Sequence, residues 1–424
     1  MRYSKALLNR PEESKSNNVV MSRRSLLLGG AASAALIMVQ TAFGKMVSQS
    51  ANETERILQG TDPTKVQGPL PSVIGSRSPF EQPKRSTIFT SSRTPLQDLY
   101  GTITPSDLHF ERHHGGIPLI DPNNYELLIH GMVEKPMIFS LKDLKRFPSV
   151  TRTCFIECSG NYRGNKENLT AQDIAGLTSQ SEWTGIMLST LLREVGVRPK
   201  ASWFLAEGGD AAVMTRSIPV EKAWEDAMIV YAQNGEAIRP GQGYPARLLL
   251  PGWEGNTSVK WLRRLEFSDQ PFMTREETSK YTEPIGPKKI RQFSFTIDAR
   301  SIITYPSYPC QLEKGWVEIR GLAWSGRGKV TKVEVSTDAG KSWQEANLNT
   351  LALDKAHVSF TYLWQWKGEP TAILSRVYDE TGYRQPTYEQ LIAARGKDTR
   401  YHINAITSWE IRKDGSVFCK PNKA

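Results

Sequence analysis

The sequence predicts an α+β protein of two domains, a mixed α/β domain followed by an immunoglobulin-like β-sandwich, and three observations carry that prediction. The chain has 424 residues, more than one hydrophobic core usually organises. Between Asp107 and Tyr281 short strand-like runs alternate with helix-like ones. Beyond Pro287 the apolar residues switch to period two, with turn signals between the runs, as in a sandwich of short antiparallel strands.

Residues 1–44 read as a leader. Arg23 and Arg24 precede an apolar run from Leu26 to Val39, and Ala42-Phe43-Gly44 places small residues at the two cleavage positions. This pattern is similar to a twin-arginine export signal cleaved near Gly44. The run is short and rich in Gly and Ala, weaker than a spanning helix needs, so the mature chain is expected in the periplasm without a membrane span. That export route carries folded proteins, often with a cofactor already inserted.

Residues 45–95 are polar, rich in Pro and Ser, and without periodicity, which predicts an extended arm, with the compact fold starting near Thr102. The first domain is placed at 96–285. There YELLIHG (Tyr125 to Gly131) and RLLLPG (Arg247 to Gly252) read as strands. SLKDLKRF (Ser140 to Phe147) and LSTLLREVG (Leu188 to Gly196) carry Leu at helical spacing, with Ser140 and Ser189 as N-caps and Gly196 as the stop. The second domain, 286–424, holds WVEIRGLAW, KVTKVEVSTDAGKSW, VSFTYLWQW and TAILSRVYDETG, and no helical pattern until Tyr388 to Arg395.

Composition narrows the function classes. Hydrophobic residues make up 39% and charged residues 23% of the chain, which fits neither a disordered chain nor a multi-span membrane protein. The formal charge is +10, but the leader carries six Lys/Arg against two Glu, leaving about +6. With no dense basic run or Cys/His finger, nucleic acid is not an expected partner; an acidic protein or an anionic substrate is.

Four cysteines are too few for a disulfide scaffold, although Cys310 and Cys419 are candidates for a pair in an oxidising compartment. Cys154 and Cys158 lack the CxxC spacing and the second ligand pair of a zinc site. In a strand starting at Thr151 the two share a face, and Cys154 reads as core. Cys158 precedes Ser159-Gly160-Asn161, so its thiolate sits where a strand end meets a flexible turn, suited to a transition metal. A cysteine nucleophile would need a paired histidine; His113 and His114 are available, but nothing else in the segment supports that reading.

Six blocks occur in order: FERHH (Phe110 to His114), FIECSGN (Phe155 to Asn161), GYPARLLLPGWEGNTSVKWLRR (Gly243 to Arg264), SKYTEP (Ser279 to Pro284), GLAWSGRGKVTKVEVSTDAGKSW and DETGYRQPT. Together they resemble the sulfite oxidase family of molybdopterin enzymes, on the side of its sulfane dehydrogenase branch in bacterial thiosulfate oxidation. The resemblance covers nearly the whole chain beyond about residue 95. It implies a molybdopterin domain followed by a Mo-cofactor oxidoreductase dimerisation domain, with one molybdenum–molybdopterin per chain.

Carried over residue by residue, the resemblance makes Cys158 the protein ligand of molybdenum. Arg112, with His113 and His114 beside it, approaches cofactor and substrate, and Arg247 is the second active-site arginine. Phe110, Asp210, Gln242, Ser258, Val259 and Lys260 fall at cofactor-binding positions, and Tyr281 stands beside the metal's oxygen ligand, making Arg112, Arg247 and Tyr281 the catalytic set. These residue types suit the chemistry: a pterin phosphate and an oxidised sulfur group are anions, and arginine offers a planar fork of donors that keeps its charge.

Two positions depart from animal-type sulfite oxidases, Gln242 for a histidine and Thr257 for an arginine. Both remove positive or titratable character, which argues against free sulfite and for sulfane sulfur on a carrier protein. No Cys-x-x-Cys-His is present, so no haem is expected on this chain, and a separate c-type cytochrome becomes the expected electron acceptor. The resemblance further implies a homodimer through the C-terminal domain. Competing readings are a sulfite dehydrogenase with the same cofactor, an exported methionine-sulfoxide reductase, and a cofactor-free immunoglobulin-like scaffold.

Overall fold

The structure is a computed structural model and describes residues 67–68, 70–162, 166–286 and 289–420. The predicted export leader, its predicted cleavage site and the predicted arm up to residue 66 lie outside the described residues. Among the described residues no helix is long and apolar enough to cross a membrane.

Strand pairing starts at Ser86 rather than near Thr102. Ser86–Ile88 and Ser91–Arg93 form a hairpin, and the latter strand pairs with Glu111–Arg112. This polar stretch is held by contacts that periodicity does not reveal. The Thr94 N–H donates to the Gly176 carbonyl at 2.8 Å, and Leu96 enters the core of the second domain.

Two five-stranded sheets build the first domain. One runs in the order Met137–Ser140, Glu126–Gly131, Leu262–Ser268, Trp203–Gly208, Thr215–Pro219, with a parallel pairing between Glu126–Gly131 and Leu262–Ser268. The other is antiparallel and contains Val150–Glu157, Thr178–Met187, Met228–Gln233 and the short Arg247–Leu249. Between them lies a core of Leu127, Ile129, Ile186, Phe204, Leu248 and Leu265, joined by Leu188, Leu191, Leu192 and Val195 of the helix Leu188–Val195. Gly196 ends that helix at φ 65, a left-handed conformation that glycine adopts without steric cost.

Ser189 does not cap this helix. Thr178–Met187 runs straight into it, so Met187 takes the cap position and Ser189 is buried as the second residue of the first turn. Ser140 does cap: its Oγ accepts from the Asp143 N–H, and its own N–H donates to Asp143 Oδ2. That helix spans only Leu141–Leu144, because Pro148 disfavours helical backbone at Phe147.

The second domain is a β-sandwich. Arg300–Tyr305, Gly315–Trp324, Val358–Trp366 and Asn347–Leu348 form one sheet; Gln344–Glu345, Val330–Ser336, Thr371–Asp379, Ser408–Ile411 and Val417–Lys420 form the other. Ile302, Ile319, Phe360, Val333, Ile373 and Trp409 pack between them. The helix Tyr388–Arg395 stands where the sequence places it, opened by a Thr387–Gln390 capping box. Cys310 and Cys419 are free thiols, not a disulfide. Phe155, Leu169 and Ile174 of the first domain belong to this same core, so the two domains share buried surface.

Candidate active site

The strand Val150–Glu157 carries Cys154 and Ile156 on one face and Phe155 on the other, as its period requires. Cys154 is fully buried, and burial pushes its thiol up to about 12, so it is an inert core residue. Cys158 follows the strand end. Its N–H donates to the Leu177 carbonyl at 2.9 Å, and its own carbonyl accepts from the Asn161 N–H at 2.9 Å. This turn presents the Cys158 thiol to a cavity. Burial raises that thiol too, and bonding to a metal cation is what favours the thiolate there.

All the residues assigned from sequence to the catalytic, cofactor-binding and metal-ligand sets line that one cavity: Phe110, Arg112, His113, His114, Cys158, Asp210, Gln242, Arg247, Ser258, Val259, Lys260 and Tyr281. Three are cations and one is a carboxylate, and among the described residues none of the three cations has a carboxylate within ion-pair distance. Arg247 donates from Nη1 to the Gln242 carbonyl at 2.9 Å and from Nη2 to the Ser258 carbonyl at 2.8 Å, leaving a buried Nε without an acceptor. Burial pushes Arg247 down to about 9. Burial first, and then the nearby Arg247 charge, drive Lys260 well below its ordinary value. A cavity that penalises its own cations in this way is built to receive an anion.

Hydrogen bonds fix these groups in place. Lys260 Nζ donates to His113 Nδ1 at 2.7 Å and to the Gly241 carbonyl at 3.1 Å. His113 therefore carries its proton on Nε2, 3.0 Å from Glu111 Oε2. His113 and Arg85 hold Glu111 down at about 2, so the relay ends on a carboxylate. Gly243 sits at φ 108, where a Cβ would come within 3.0 Å of Lys260 and 3.2 Å of the Arg247 Cβ. Only glycine brings those two cations so close to the turn.

Arg112 donates to Thr90 Oγ1 at 2.5 Å and to the His113 carbonyl. Gln242 Nε2 donates to the Phe110 carbonyl at 2.8 Å. Ser258 Oγ accepts from the Leu250 N–H at 3.0 Å, and Asp210 Oδ1 from the Met214 N–H at 3.2 Å. Val259 adds apolar wall. Tyr281 follows the π-helical turn Glu276–Lys280, its hydroxyl 3.1 Å from His114 Nε2. Burial raises its pKa far above the ordinary phenol value, so the hydroxyl keeps its proton.

Sequence reasoning missed several neighbours. His109 lines the cavity, with Nδ1 2.9 Å from the Phe110 carbonyl and a buried Nε2 that has no partner. The carbonyl only accepts, so Nδ1 bears the proton and Nε2 is a bare acceptor. Its place beside FERHH was the available signal. Tyr401, whose ring centroid lies 5.6 Å from that of Tyr281, and His402, whose N–H donates to the Ser159 carbonyl at 2.8 Å, reach the site from the second domain without a local signal. Thr257 corrects a sequence inference. Its hydroxyl donates to the Glu254 carbonyl at 2.7 Å, and it is outside the cavity lining, so of the two departures only Gln242 faces the cavity.

Residues 114–276 match the family model of the oxidoreductase molybdopterin binding domain, and residues 291–408 that of the Mo-co oxidoreductase dimerisation domain. An NADH nitrate reductase of Ulva prolifera is 29% identical over 70% of this chain and 39% of its own length. An NADPH nitrate reductase of Pichia angusta is 32% identical over 61% of this chain and 34% of its own length. The chain thus spans less than half the length of these relatives. The crystal structure of the sulfane dehydrogenase SoxCD from Paracoccus pantotrophus matches with a TM-score of 0.81 at 41% identity, covering 85% of this chain and 98% of that chain. Two matched domains in order, a cysteine presented to an unneutralised cationic cavity, and this likeness in both sequence and fold place the chain in the sulfite oxidase family of molybdopterin oxidoreductases.

Proposed function

We propose that this chain is the molybdenum subunit of a sulfane dehydrogenase that works in the periplasm, oxidises sulfane sulfur held on a carrier protein and passes the electrons to a c-type cytochrome. The observation that carries this reading is the match along 98% of the sulfane dehydrogenase chain at 41% identity, against 29% for the Ulva nitrate reductase. The neutral Gln242 at the cavity supports it, since a small dianion gains less there than beside a protonatable imidazole.

The residues present fit a molybdenum–molybdopterin group. Cys158 offers the thiolate for the metal; Arg112, Arg247 and Lys260 offer uncompensated positive charge for anionic parts; the bare Nε2 of His109 offers an acceptor for a ring N–H. When bound, the group supplies two-electron oxygen-atom transfer to sulfur. The chain's own residues position and protect. Glu111 and His113 aim the Lys260 ammonium. Arg247 is braced by the Gln242 and Ser258 carbonyls, so its free N–H groups are pre-organised for an anion. Tyr281, held by His114, presents a phenol that donates a hydrogen bond across the working pH range. Phe110, Ile156, Val259 and Trp261 exclude water from the same space. In assembly, the second domain serves as the contact of a homodimer, leaving the carrier and the cytochrome to meet the first domain.

The test is haem reduction by the purified complex with its cytochrome, at matched concentrations and defined ionic strength. A persulfidated carrier protein is expected to reduce haem much faster than free sulfite. A clear preference for sulfite moves the assignment to a sulfite dehydrogenase.

A further inference from the structure

Arg216 lies on the strand Thr215–Pro219, is 1% exposed, and belongs to neither the cavity lining nor any block of the family resemblance. Its Nε donates to Glu277 Oε1 at 2.7 Å and its Nη1 to Glu254 Oε1 at 2.9 Å. The same guanidinium lies over the Tyr281 ring, 4.9 Å from Cζ to the centroid. Glu277 is in the π-helical turn that ends at Tyr281, and its Oε1 also accepts from the Ser217 N–H at 3.0 Å. The other oxygen of Glu254 is 3.5 Å from His402 Nε2, and the His402 N–H donates to the carbonyl of Ser159, the residue after Cys158.

Burying one cation with two carboxylates carries a desolvation cost, and apolar side chains of the same volume often hold a fold as well. Stability alone does not explain the ionic choice. Geometry does, because only a planar fork reaches two carboxylates from different elements while its face covers an aromatic ring.

We infer that Arg216 is a positioning residue: clamped by Glu254 and Glu277, it sets the Tyr281 phenol relative to the Cys158 turn. The inference rests on this cavity being the catalytic site, not on which sulfur donor it takes. A small misplacement of a catalytic group costs up to about 10²-fold in rate.

The experiment is a double-mutant cycle of Arg216→Lys and Tyr281→Phe in the cofactor-loaded protein, with free sulfite and a persulfidated carrier as separate probes and the cycle read on whichever is oxidised. Arg216→Lys keeps the charge and loses the fork. Expected is a kcat lowered by about 10- to 100-fold with KM changed much less, and no further loss when Arg216→Lys is added to Tyr281→Phe. A second readout needs no turnover: 3-fluorotyrosine at position 281 is expected to show a shifted and broadened fluorine resonance in Arg216→Lys. If Arg216→Lys does not fold, the near-isosteric Glu254→Gln carries the same cycle and the same label. Additive losses with Tyr281→Phe, or an unchanged kcat and fluorine resonance, overturn the inference; a preference for sulfite over the carrier overturns only the substrate assignment.

Discussion

Trp324 donates its indole Nε1–H to Oε2 of Glu157 at 2.6 Å, across the boundary between the two domains. Glu157 immediately precedes Cys158. Its other oxygen is 3.2 Å from Arg300 Nη1 and accepts from Asn161 Nδ2 at 2.8 Å. The second domain therefore holds the strand end from which the cysteine is presented.

Removing either partner leaves a buried carboxylate short of donors. Trp324→Phe is expected to destabilise by about 1–3 kcal/mol, and Arg300→Met by about 3–5 kcal/mol, in urea unfolding of the whole chain. Adding Glu157→Gln to Arg300→Met should recover part of the loss, since the uncompensated charge is then gone. A double variant as unstable as the single one would show that Glu157 is not the group being compensated.

The two cysteines of the strand and turn should separate cleanly. Cys158→Ser is nearly isosteric and is expected to keep the urea midpoint within experimental spread while losing molybdenum and sulfur oxidation, because an alkoxide is a poor soft ligand. Cys154→Ser places a hydroxyl in a dry core, so a cost of about 1–3 kcal/mol is expected, with metal content retained. Metal analysis beside unfolding curves distinguishes the two.

Acid should weaken the chain through His357. This imidazole stacks on Phe155 at 5.5 Å, has Nε2 3.0 Å from Thr178 Oγ1, and is pushed by burial down to about 3. The folded state holds it neutral, whereas the unfolded chain protonates it below its ordinary value near 6.5. Stability is thus complete above that value and declines as pH falls towards 3, at up to about 1.4 kcal/mol per pH unit for this group. Urea midpoints between pH 7 and pH 4 should show the slope, and His357→Gln should flatten it by about that amount.

Lys260→Met removes one uncompensated cation while keeping much of the aliphatic stem. Losing one charge-assisted contact to an anion costs roughly 1.5–3 kcal/mol, so pterin retention should fall by about 10- to 100-fold. The folded apoprotein should gain stability, since a penalised buried charge is gone. Pterin fluorescence after desalting measures the first effect and thermal unfolding the second.

Export is testable apart from catalysis. Arg23→Lys with Arg24→Lys is expected to leave the protein in the cytoplasm with its leader intact, read by fractionation and mass. Continued appearance of a shortened protein in the periplasm would remove the twin-arginine assignment.

By itself the sequence determined the features set by local chemistry. Period-two patterning located the strands Gly315–Trp324, Val330–Ser336, Val358–Trp366 and Thr371–Asp379, because side-chain alternation is a property of each strand alone. Ser140 and Gly196 marked helix ends for the same reason. Residues of the cavity were legible because they come in short blocks that resemble a family, with Arg112 beside Phe110 and Arg247 close to Lys260. Only the tertiary structure decided that Thr257 turns away from the cavity, that Ser86–Ile88 and Ser91–Arg93 join the fold, and that Arg216, Tyr401 and His402 stand behind Tyr281 and Cys158. Those contacts join positions far apart in the chain, such as Glu157 and Trp324 at a separation of 167 residues. Such a pairing leaves no period or cap in either segment; it exists because burying each polar group required a partner, and the packing of the two domains determined which one was within reach.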